Sequence, residues 1–269
     1  MNGIENQQCL IDVQDLAVHF GAPENPVRAV DGVSFQIFSG EIVALVGESG
    51  SGKSISALAL AKLIPEPAAR IAGGKILFRG ADTLAMNHAE LRTLRGAKIA
   101  YIFQEPATSL NPVFTVGYQI GEAIKLHRRG VHVKTEVKKL LASVGLPEPA
   151  RAAKSYPHEL SGGMQQRAMI AMALACDPDL LVADEPTTAL DVTVQKQILE
   201  LLLQLRAERG LSILLITHNL GIVANTADRI YVMHRGKIVE SGDTKTVLKN
   251  PQDVYTKNLI AAVPRLHHE

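Results

Sequence analysis

Residues 47–54 of the sequence have the types and the spacing of a phosphate-binding loop. They read Gly-Glu-Ser-Gly-Ser-Gly-Lys-Ser and fit the pattern G-x-x-x-x-G-K-[ST]. Backbone N–H groups of a glycine-rich turn can surround phosphate oxygens, and a following helix adds the positive end of its dipole. We therefore expect the loop to bind a nucleotide through Gly47, Ser49, Gly50, Ser51, Gly52, Lys53 and Ser54.

The last two residues of this loop have side chains that can bind phosphate and metal directly. Lys53 is expected to neutralise the β- and γ-phosphates, and the hydroxyl of Ser54 is expected to bind Mg²⁺. The alternative is a purely structural glycine-rich turn. The apolar run at 42–46 before the loop and the helical pattern at 56–63 after it disfavour that alternative, because a phosphate-binding loop joins a strand to a helix.

Two adjacent carboxylates, Asp184 and Glu185, follow a second short apolar run at 180–183. The ends of strands are the places where open α/β sheets position ligand chemistry. Asp184 suits coordination of a metal ion, directly or through water, whereas Glu185 could polarise the water that attacks a γ-phosphate. Two acids after a strand carry little weight alone, so this interpretation depends on the motifs around them.

These residues need a scaffold, and the apolar pattern predicts one. Short apolar runs at 42–46, 180–183 and 213–216 fit strands buried on both faces of a largely parallel sheet. Amphipathic patterns between them predict two helices, with buried faces formed by Val137, Leu140, Leu141 and Val144 and by Ile198, Leu201, Leu202 and Leu205. Asp191 would cap the second helix and Gly210 would end it. Alternating strands and helices indicate an α/β fold.

Three further motifs complete the set: Gln104 after the strand-like residues 99–103, the segment Leu-Ser-Gly-Gly-Met-Gln-Gln-Arg at 160–167, and His218 after the third apolar run. With these motifs in this order, the sequence resembles the ATP-binding-cassette (ABC) ATPases from residue 20 to its end. The resemblance implies ATP and Mg²⁺ as ligands and a P-loop NTPase fold. It implies a RecA-like core with a parallel sheet and an N-terminal antiparallel β part (residues 9–104 and 166–245), an inserted helical signature subdomain (105–165) and a C-terminal tail (246–269).

The resemblance also implies a role for each motif. It assigns catalysis to Glu185, His218, Gln104 and Lys53, and metal binding to Ser54, Gln104 and Asp184. His218 would contact the γ-phosphate, and Phe20 would stack on adenine. The signature segment would face the nucleotide held by a second copy, through Ser161, Gly162, Gly163 and Gln165, with Asp191 in contact across the dimer. Met164 is a departure from the usual LSGGQ sequence.

Longer phrases resemble the cassettes that import dipeptides, oligopeptides, nickel or glutathione: residues 102–113, 156–163, 183–193 and the tail at 250–257. In the tail, Asp253-Val254 replaces the usual His-Pro, and the absence of a cysteine-bearing extension predicts no iron–sulfur cluster. The resemblance implies a second cassette as head-to-tail partner, two transmembrane permease subunits docked near residues 109–119, an extracytoplasmic solute-binding protein, and a location on the cytoplasmic face of the membrane. The chain also resembles the first half of a tandem two-cassette protein.

Composition supports a folded protein without a nucleic-acid partner. The chain has 269 residues, 46% of them hydrophobic, and a formal charge of +1 from 28 basic and 27 acidic side chains. No apolar run reaches the roughly 20 residues of a membrane span, and the N-terminus does not resemble a signal peptide. A DNA-repair cassette, a translation factor and a simple P-loop kinase or GTPase are the rival classes. The first two normally add long insertions or a second cassette, and the third lacks the signature segment.

Overall fold

The computed structural model describes residues 8–22, 24–188 and 190–262, without the side chains of residues 106 and 107. The chain divides into two compact units, the first formed by Met1–Leu91 with Ser212–Glu269 and the second by Arg92–Leu211. The predicted boundaries of the core, the helical subdomain and the tail follow a different division and stay a prediction. Residues 263–269 of the predicted tail lie outside the described residues, and so does Ala189.

The described residues form both strands and helices. The strands are β1 (Cys9–Phe20), β2 (Val27–Phe38), β3 (Ile42–Val46), β4 (Ala69–Phe78), β5 (Ala81–Asp82), β6 (Ile99–Ile102), β7 (Leu180–Asp184), β8 (Ser212–Thr217), β9 (Arg229–His234) and β10 (Lys237–Asp243). The helices are α1 (Lys53–Ala59), α2 (His88–Leu94), α3 (Pro106–Ser109), α4 (Val116–His127), α5 (Val133–Ser143), α6 (Pro149–Ala152), α7 (Gly162–Ala173), α8 (Val192–Arg209), α9 (Leu220–Thr226), α10 (Thr244–Lys249) and α11 (Val254–Ala261). Short 3₁₀ turns lie at Pro157–Glu159 and Leu174–Cys176.

The N-terminal strands of the first unit form an antiparallel sheet in the order β2-β1-β4-β5. Alternate residues of β2, namely Val33, Phe35 and Ile37, are buried, whereas Ser34 and Gln36 between them are exposed. A period of two is what a sheet with one face on the core requires. The prediction of an N-terminal antiparallel β part is therefore confirmed.

The remaining strands of the first unit surround β3. It pairs in parallel with β8 on one side and β9 on the other, and β10 adds an antiparallel edge to β9. Every residue of β3 and β8 is buried, which explains why residues 42–46 and 213–216 are continuous apolar runs and not alternating ones. Ala44 and Val46 of β3 lie in a core cluster with residues from β9, α9 and α10.

The second unit contains the strand pair β6 and β7 and most of the helices. The two strands are parallel, with Ile102 opposite Ala183. The residues that the structure describes between Ile102 and Leu180 form helices and turns and no strand. Both predicted amphipathic faces are buried, and α8 begins at the N-cap Asp191 and ends at Gly210, as predicted.

No helix in the described part of the chain combines the length and the hydrophobicity that a membrane span requires.

Candidate functional site

The glycines of the loop at 47–54 are required by close backbone contacts. A Cβ atom on Gly47 would lie 2.1 Å from the carbonyl oxygen of Met233, and one on Gly52 would lie 2.3 Å from that of Ala29. Gly52 also has a φ of 103°, which L-residues with side chains rarely adopt. The loop backbone therefore packs directly on the backbones of β2 and β9. These contacts fix the curved conformation of the loop, in which its N–H groups can face a ligand.

The ammonium group of Lys53 lies inside that curve. It donates hydrogen bonds to the carbonyl oxygens of Gly47 at 2.9 Å and Glu48 at 2.8 Å, and it lies 3.4 Å from the hydroxyl of Ser51. The side chain is 6% exposed. A buried cation held by the loop carbonyls is placed where anionic phosphate oxygens would bind more strongly than neutral carbonyls do.

Helix α1 begins earlier and ends earlier than the predicted helix at 56–63. It starts at Lys53, directly after Gly52, and ends at Ala59. The helix stops because Lys62 adopts a left-handed backbone with a φ of 54°. Ser54 is consequently the second helical residue, and its exposed side chain follows directly after the buried Lys53.

The outer side of the loop is held by two contacts that the sequence patterns did not predict. The N–H of Glu48 donates to the hydroxyl oxygen of Tyr255 at 2.9 Å, and the N–H of Gly236 donates to the carbonyl oxygen of Ser51 at 3.0 Å. Burial raises the pKa of Tyr255 above its ordinary value, so this hydroxyl is neutral near pH 7. No sequence signal marks either contact, because both partners are distant in sequence from the loop.

His218 lies at the same edge of the first unit's parallel strands as the loop. Thr217, the last residue of β8, is paired with Val46, the last residue of β3. Since the strands are parallel, Gly47 and His218 leave adjacent strands in the same direction. The hydroxyl of Thr217 accepts a hydrogen bond from the N–H of Asn219 at 3.1 Å, which fixes the turn that carries the exposed His218.

Phe20 ends β1, where it pairs with Val27 of β2 and Ala69 of β4. Its side chain is half-buried. Val27 begins β2, and shortly after it comes Ala29, whose carbonyl oxygen packs on Gly52 of the loop. The strand that carries Phe20 is thus paired with the strand that supports the loop, and the stacking of Phe20 on adenine stays a prediction.

In the second unit, the structure brings Gln104 and Glu185 together. The side-chain amide of Gln104 donates to Oε2 of Glu185 at 3.2 Å, and the hydroxyl of Thr188 donates to the same oxygen at 2.8 Å. Glu185 follows Asp184, the half-buried last residue of β7, and has a left-handed φ of 47°. Such a conformation is strained for a non-glycine residue, and it occurs often at functional sites. The carboxylate is therefore oriented by two donors at the end of a buried strand.

The signature segment forms the start of α7. Ser161 is the N-cap, and its hydroxyl accepts from the N–H of Met164 at 3.4 Å. A Cβ atom on Gly163 would lie 2.9 Å from the Val194 side chain, so glycine there allows α7 to pack closely on α8. A cavity of about 480 Å³ lies against this helix start, and its lining includes Ser161, Gly162, Gly163, Arg167 and Asp191.

Gln165 of this segment and Asp191, both predicted to act across the dimer, have local structural contacts. The side-chain amide of Gln165 donates to the carbonyl oxygens of Pro157 and Leu160, at 2.9 and 3.1 Å, and so holds the turn before α7. Asp191 caps α8 by accepting from the N–H of Val194 at 2.9 Å. The neighbouring Gln166, which the sequence patterns did not single out, is 1% exposed and donates to the carbonyl oxygen of Pro186 at 2.7 Å. It connects α7 to the turn after Glu185.

Comparison with known proteins places this arrangement in a family. The sequence profile of the family described as "ABC transporter" matches residues 30–188, which is more than half of the chain. The chain belongs to the ABC transporter family. The matched part of the cassette contains the phosphate loop, Gln104, the signature segment and the Asp184-Glu185 pair, whereas Phe20 and His218 lie outside it.

The curated relatives of the cassette are named as ATP-binding proteins of transporters. The peptidoglycan transport ATP-binding protein YejF of Agrobacterium fabrum is 55% identical over 97% of the cassette, and the cassette spans 48% of that relative, about half its length. The dipeptide transport ATP-binding protein DppD of Haemophilus influenzae is 50% identical over 95% of the cassette and 78% of the relative. The cassette is therefore an ABC ATPase homologous to ATP-binding proteins of peptide transporters.

A solved structure with the same fold supports the assignment. The ATP-binding cassette MJ0796, solved as a dimer in a post-hydrolysis state with ADP and Pi, superposes with a TM-score of 0.77 and 28% identity. The match covers 87% of the cassette and 98% of that chain. The predicted α/β P-loop fold of the ABC ATPases is thereby confirmed, and so is binding of ATP by a domain of this type.

Proposed function

We propose that the cassette is the ATP-hydrolysing subunit of an importer for peptides or a related small solute. The observation that carries the hydrolytic part of the proposal is the Glu185 carboxylate, oriented by Gln104 and Thr188 at the end of β7. A carboxylate fixed in this way can accept a proton from water. The solute class is inferred from the transport names of the relatives that are about half identical to the cassette.

We assign the nucleotide roles residue by residue. Lys53 neutralises the β- and γ-phosphates, His218 contacts the γ-phosphate, and Phe20 stacks on the base. Ser54, Gln104 and Asp184 would hold Mg²⁺. They offer a hydroxyl, an amide carbonyl and a carboxylate, which are the hard oxygen donors that Mg²⁺ prefers, so this donor set fits the ion. Mg²⁺ would neutralise charge on the phosphate oxygens.

The signature segment is proposed to bind the nucleotide of a second cassette. Ser161 and the first N–H groups of the 12-residue helix α7 line an open cavity, and N–H groups at a helix start favour anions. Asp191 lines the same cavity. The dimeric state of MJ0796 supports a pair of cassettes in which each copy contributes this surface to the other.

The membrane subunits are proposed to dock on the segment at 109–119. This segment exposes large apolar side chains: Val113 is 69%, Phe114 41% and Tyr118 49% exposed, and the two rings are stacked at 4.8 Å. The amide of the buried Gln119 holds the preceding loop through Asn111 and Phe114. Two permease subunits would bind here, on the cytoplasmic face of the membrane, with an extracytoplasmic solute-binding protein supplying the solute.

The test of the hydrolytic role is Glu185→Gln. We expect this variant to bind ATP with unchanged affinity, to lose steady-state turnover by at least about a hundredfold, as removal of a general base does, and to form a stable dimer with Mg²⁺-ATP. The matched control is Glu200→Gln on the exposed side of α8, which should hydrolyse ATP normally. Lys53→Ala should instead weaken binding of a fluorescent nucleotide. Normal turnover in Glu185→Gln, or normal nucleotide binding in Lys53→Ala, would contradict the proposal.

A further inference from the structure

The C-terminal helix α11 touches the phosphate loop through one side chain. The Tyr255 hydroxyl oxygen accepts a hydrogen bond from the N–H of Glu48 at 2.9 Å. The Tyr255 ring packs on the ring of His234, with 3.9 Å between centroids, and against the core cluster that contains Val46. The ring of this half-buried side chain thus packs against the core cluster, and its hydroxyl holds a peptide group of the loop.

Helix α11 is itself anchored on the same unit. The carboxylate of Glu240 on β10 accepts from the N–H groups of Gln252 at 2.7 Å and Asp253 at 3.1 Å, just before the helix. Asp253 is the N-cap and accepts from the N–H of Tyr255 at 2.8 Å. Leu259 and Ile260 pack on the core cluster. Tyr255 is therefore presented to the loop by a helix with both polar and apolar attachments.

Glu48 is held from both of its peptide groups. Its N–H donates to Tyr255, and its carbonyl oxygen accepts from the ammonium of Lys53 at 2.8 Å. If Lys53 turns to a phosphate, as the proposed function requires, the carbonyl contact is weakened or lost. The contact with Tyr255 does not depend on Lys53, so it can keep the start of the loop in place during that exchange.

We propose that Tyr255 is a positioning residue of the nucleotide site, which holds the phosphate loop in its binding conformation through the N–H of Glu48. The inference rests on the proposed function of the loop and adds to it a role for the C-terminal helix. In this role Tyr255 acts on the nucleotide through the loop and not by a contact of its own. It acts by keeping the loop ordered, so its removal should affect nucleotide binding more than the chemical step.

The test compares two Tyr→Phe variants of the same unit. Tyr255→Phe keeps the ring on His234 and removes the hydroxyl. Tyr231→Phe is the matched control, because the Tyr231 hydroxyl also accepts a backbone N–H, but from Gln36 of β2 at 3.1 Å and not from a residue of the loop. Fluorescent-nucleotide titration gives the Kd, steady-state hydrolysis gives KM and kcat, and thermal unfolding without nucleotide gives Tm.

For Tyr255→Phe we expect Kd and KM for ATP to rise about threefold to tenfold, the effect of losing one hydrogen bond, with kcat within about twofold of wild type. Tyr231→Phe should lower Tm and leave Kd unchanged. Unchanged Kd and KM in Tyr255→Phe would overturn the inference, and so would an equal rise in Tyr231→Phe, since both variants would then act through stability alone. Failure of the proposed function would give a different result, namely normal nucleotide binding in Lys53→Ala.

Discussion

Replacement of Gly52 by alanine tests how the phosphate loop is built. Two costs follow from the structure. The backbone of Gly52 has a φ of 103°, and a left-handed conformation costs an L-residue about 1–2 kcal/mol. The new Cβ would also lie 2.3 Å from the carbonyl oxygen of Ala29, and relief of such an overlap typically costs about 1–3 kcal/mol. We therefore expect Gly52→Ala to lose about 2–5 kcal/mol from the folded loop.

The loss can be separated into its two parts with a matched control. Gly130 has a φ of 75°, and a Cβ atom there would meet nothing within 4 Å, so Gly130→Ala should cost only the backbone strain of about 1–2 kcal/mol. Urea unfolding measures the free energy of unfolding, and a fluorescent-nucleotide titration measures binding. Gly52→Ala should be the less stable variant and should lose nucleotide binding, whereas Gly130→Ala should bind normally. Equal stability and equal binding in the two variants would refute the close packing of the loop on β2.

Two further predictions concern hydrogen bonds to carboxylates. Thr188→Val removes a 2.8 Å bond to Glu185, worth about 1.5–3 kcal/mol to a charged acceptor, so kcat should fall about tenfold or more at unchanged ATP affinity; an unchanged kcat would show that Thr188 does not orient Glu185. Burial acts to raise the pKa of Glu240, but hydrogen bonds from Gln252 and Asp253 lower it overall. The ionised Glu240 carboxylate thus stabilises the fold above its unfolded pKa of about 4.3, and this stabilisation is lost as pH falls further. In urea unfolding between pH 6 and pH 3, the free energy of unfolding should therefore fall less for Glu240→Gln than for wild type.

The parts of the fold that the sequence predicted are those whose signal is local. The runs at 42–46 in β3 and 213–216 in β8 are apolar at every position because both faces are buried, and this continuous pattern can be found without knowing which strands pair. The caps of α8 follow the same logic, since Asp191 accepts from Val194 only three residues away and Gly210 takes a left-handed φ of 63°. Motif residues were found because their chemistry restricts both type and spacing.

Contacts between distant residues could not be predicted in this way. Tyr255 and Glu48 are 207 positions apart, and the contact uses a backbone N–H, which every non-proline residue has. The residue type at Glu48 therefore gives no sign of this contact. Gln165 shows the complementary difficulty: its position in the signature segment predicts a nucleotide contact, whereas the structure shows its amide bound to the carbonyls of Pro157 and Leu160. The nucleotide contact of Gln165 stays a prediction, because residue type alone does not separate a ligand-binding role from a structural one.

The hydrogen bonds of Lys53 affect which ligands the loop can bind selectively. Its ammonium already donates to the carbonyl oxygens of Gly47 and Glu48, so a ligand gains only the difference between those bonds and the new ones. Attraction between opposite unit charges about 4 Å apart is about 4 kcal/mol at an effective dielectric constant of about 20, and a neutral carbonyl lacks it, so phosphate oxygens should compete successfully with carbonyls for Lys53, whereas an uncharged nucleoside offers no such charge. Affinity should therefore depend on the phosphate chain far more than on the base. On the proposed role of the loop, binding would depend mainly on phosphate charge, and the contacts from β2, β9 and Tyr255 would keep the loop in shape while Lys53 exchanges carbonyl oxygens for phosphate oxygens.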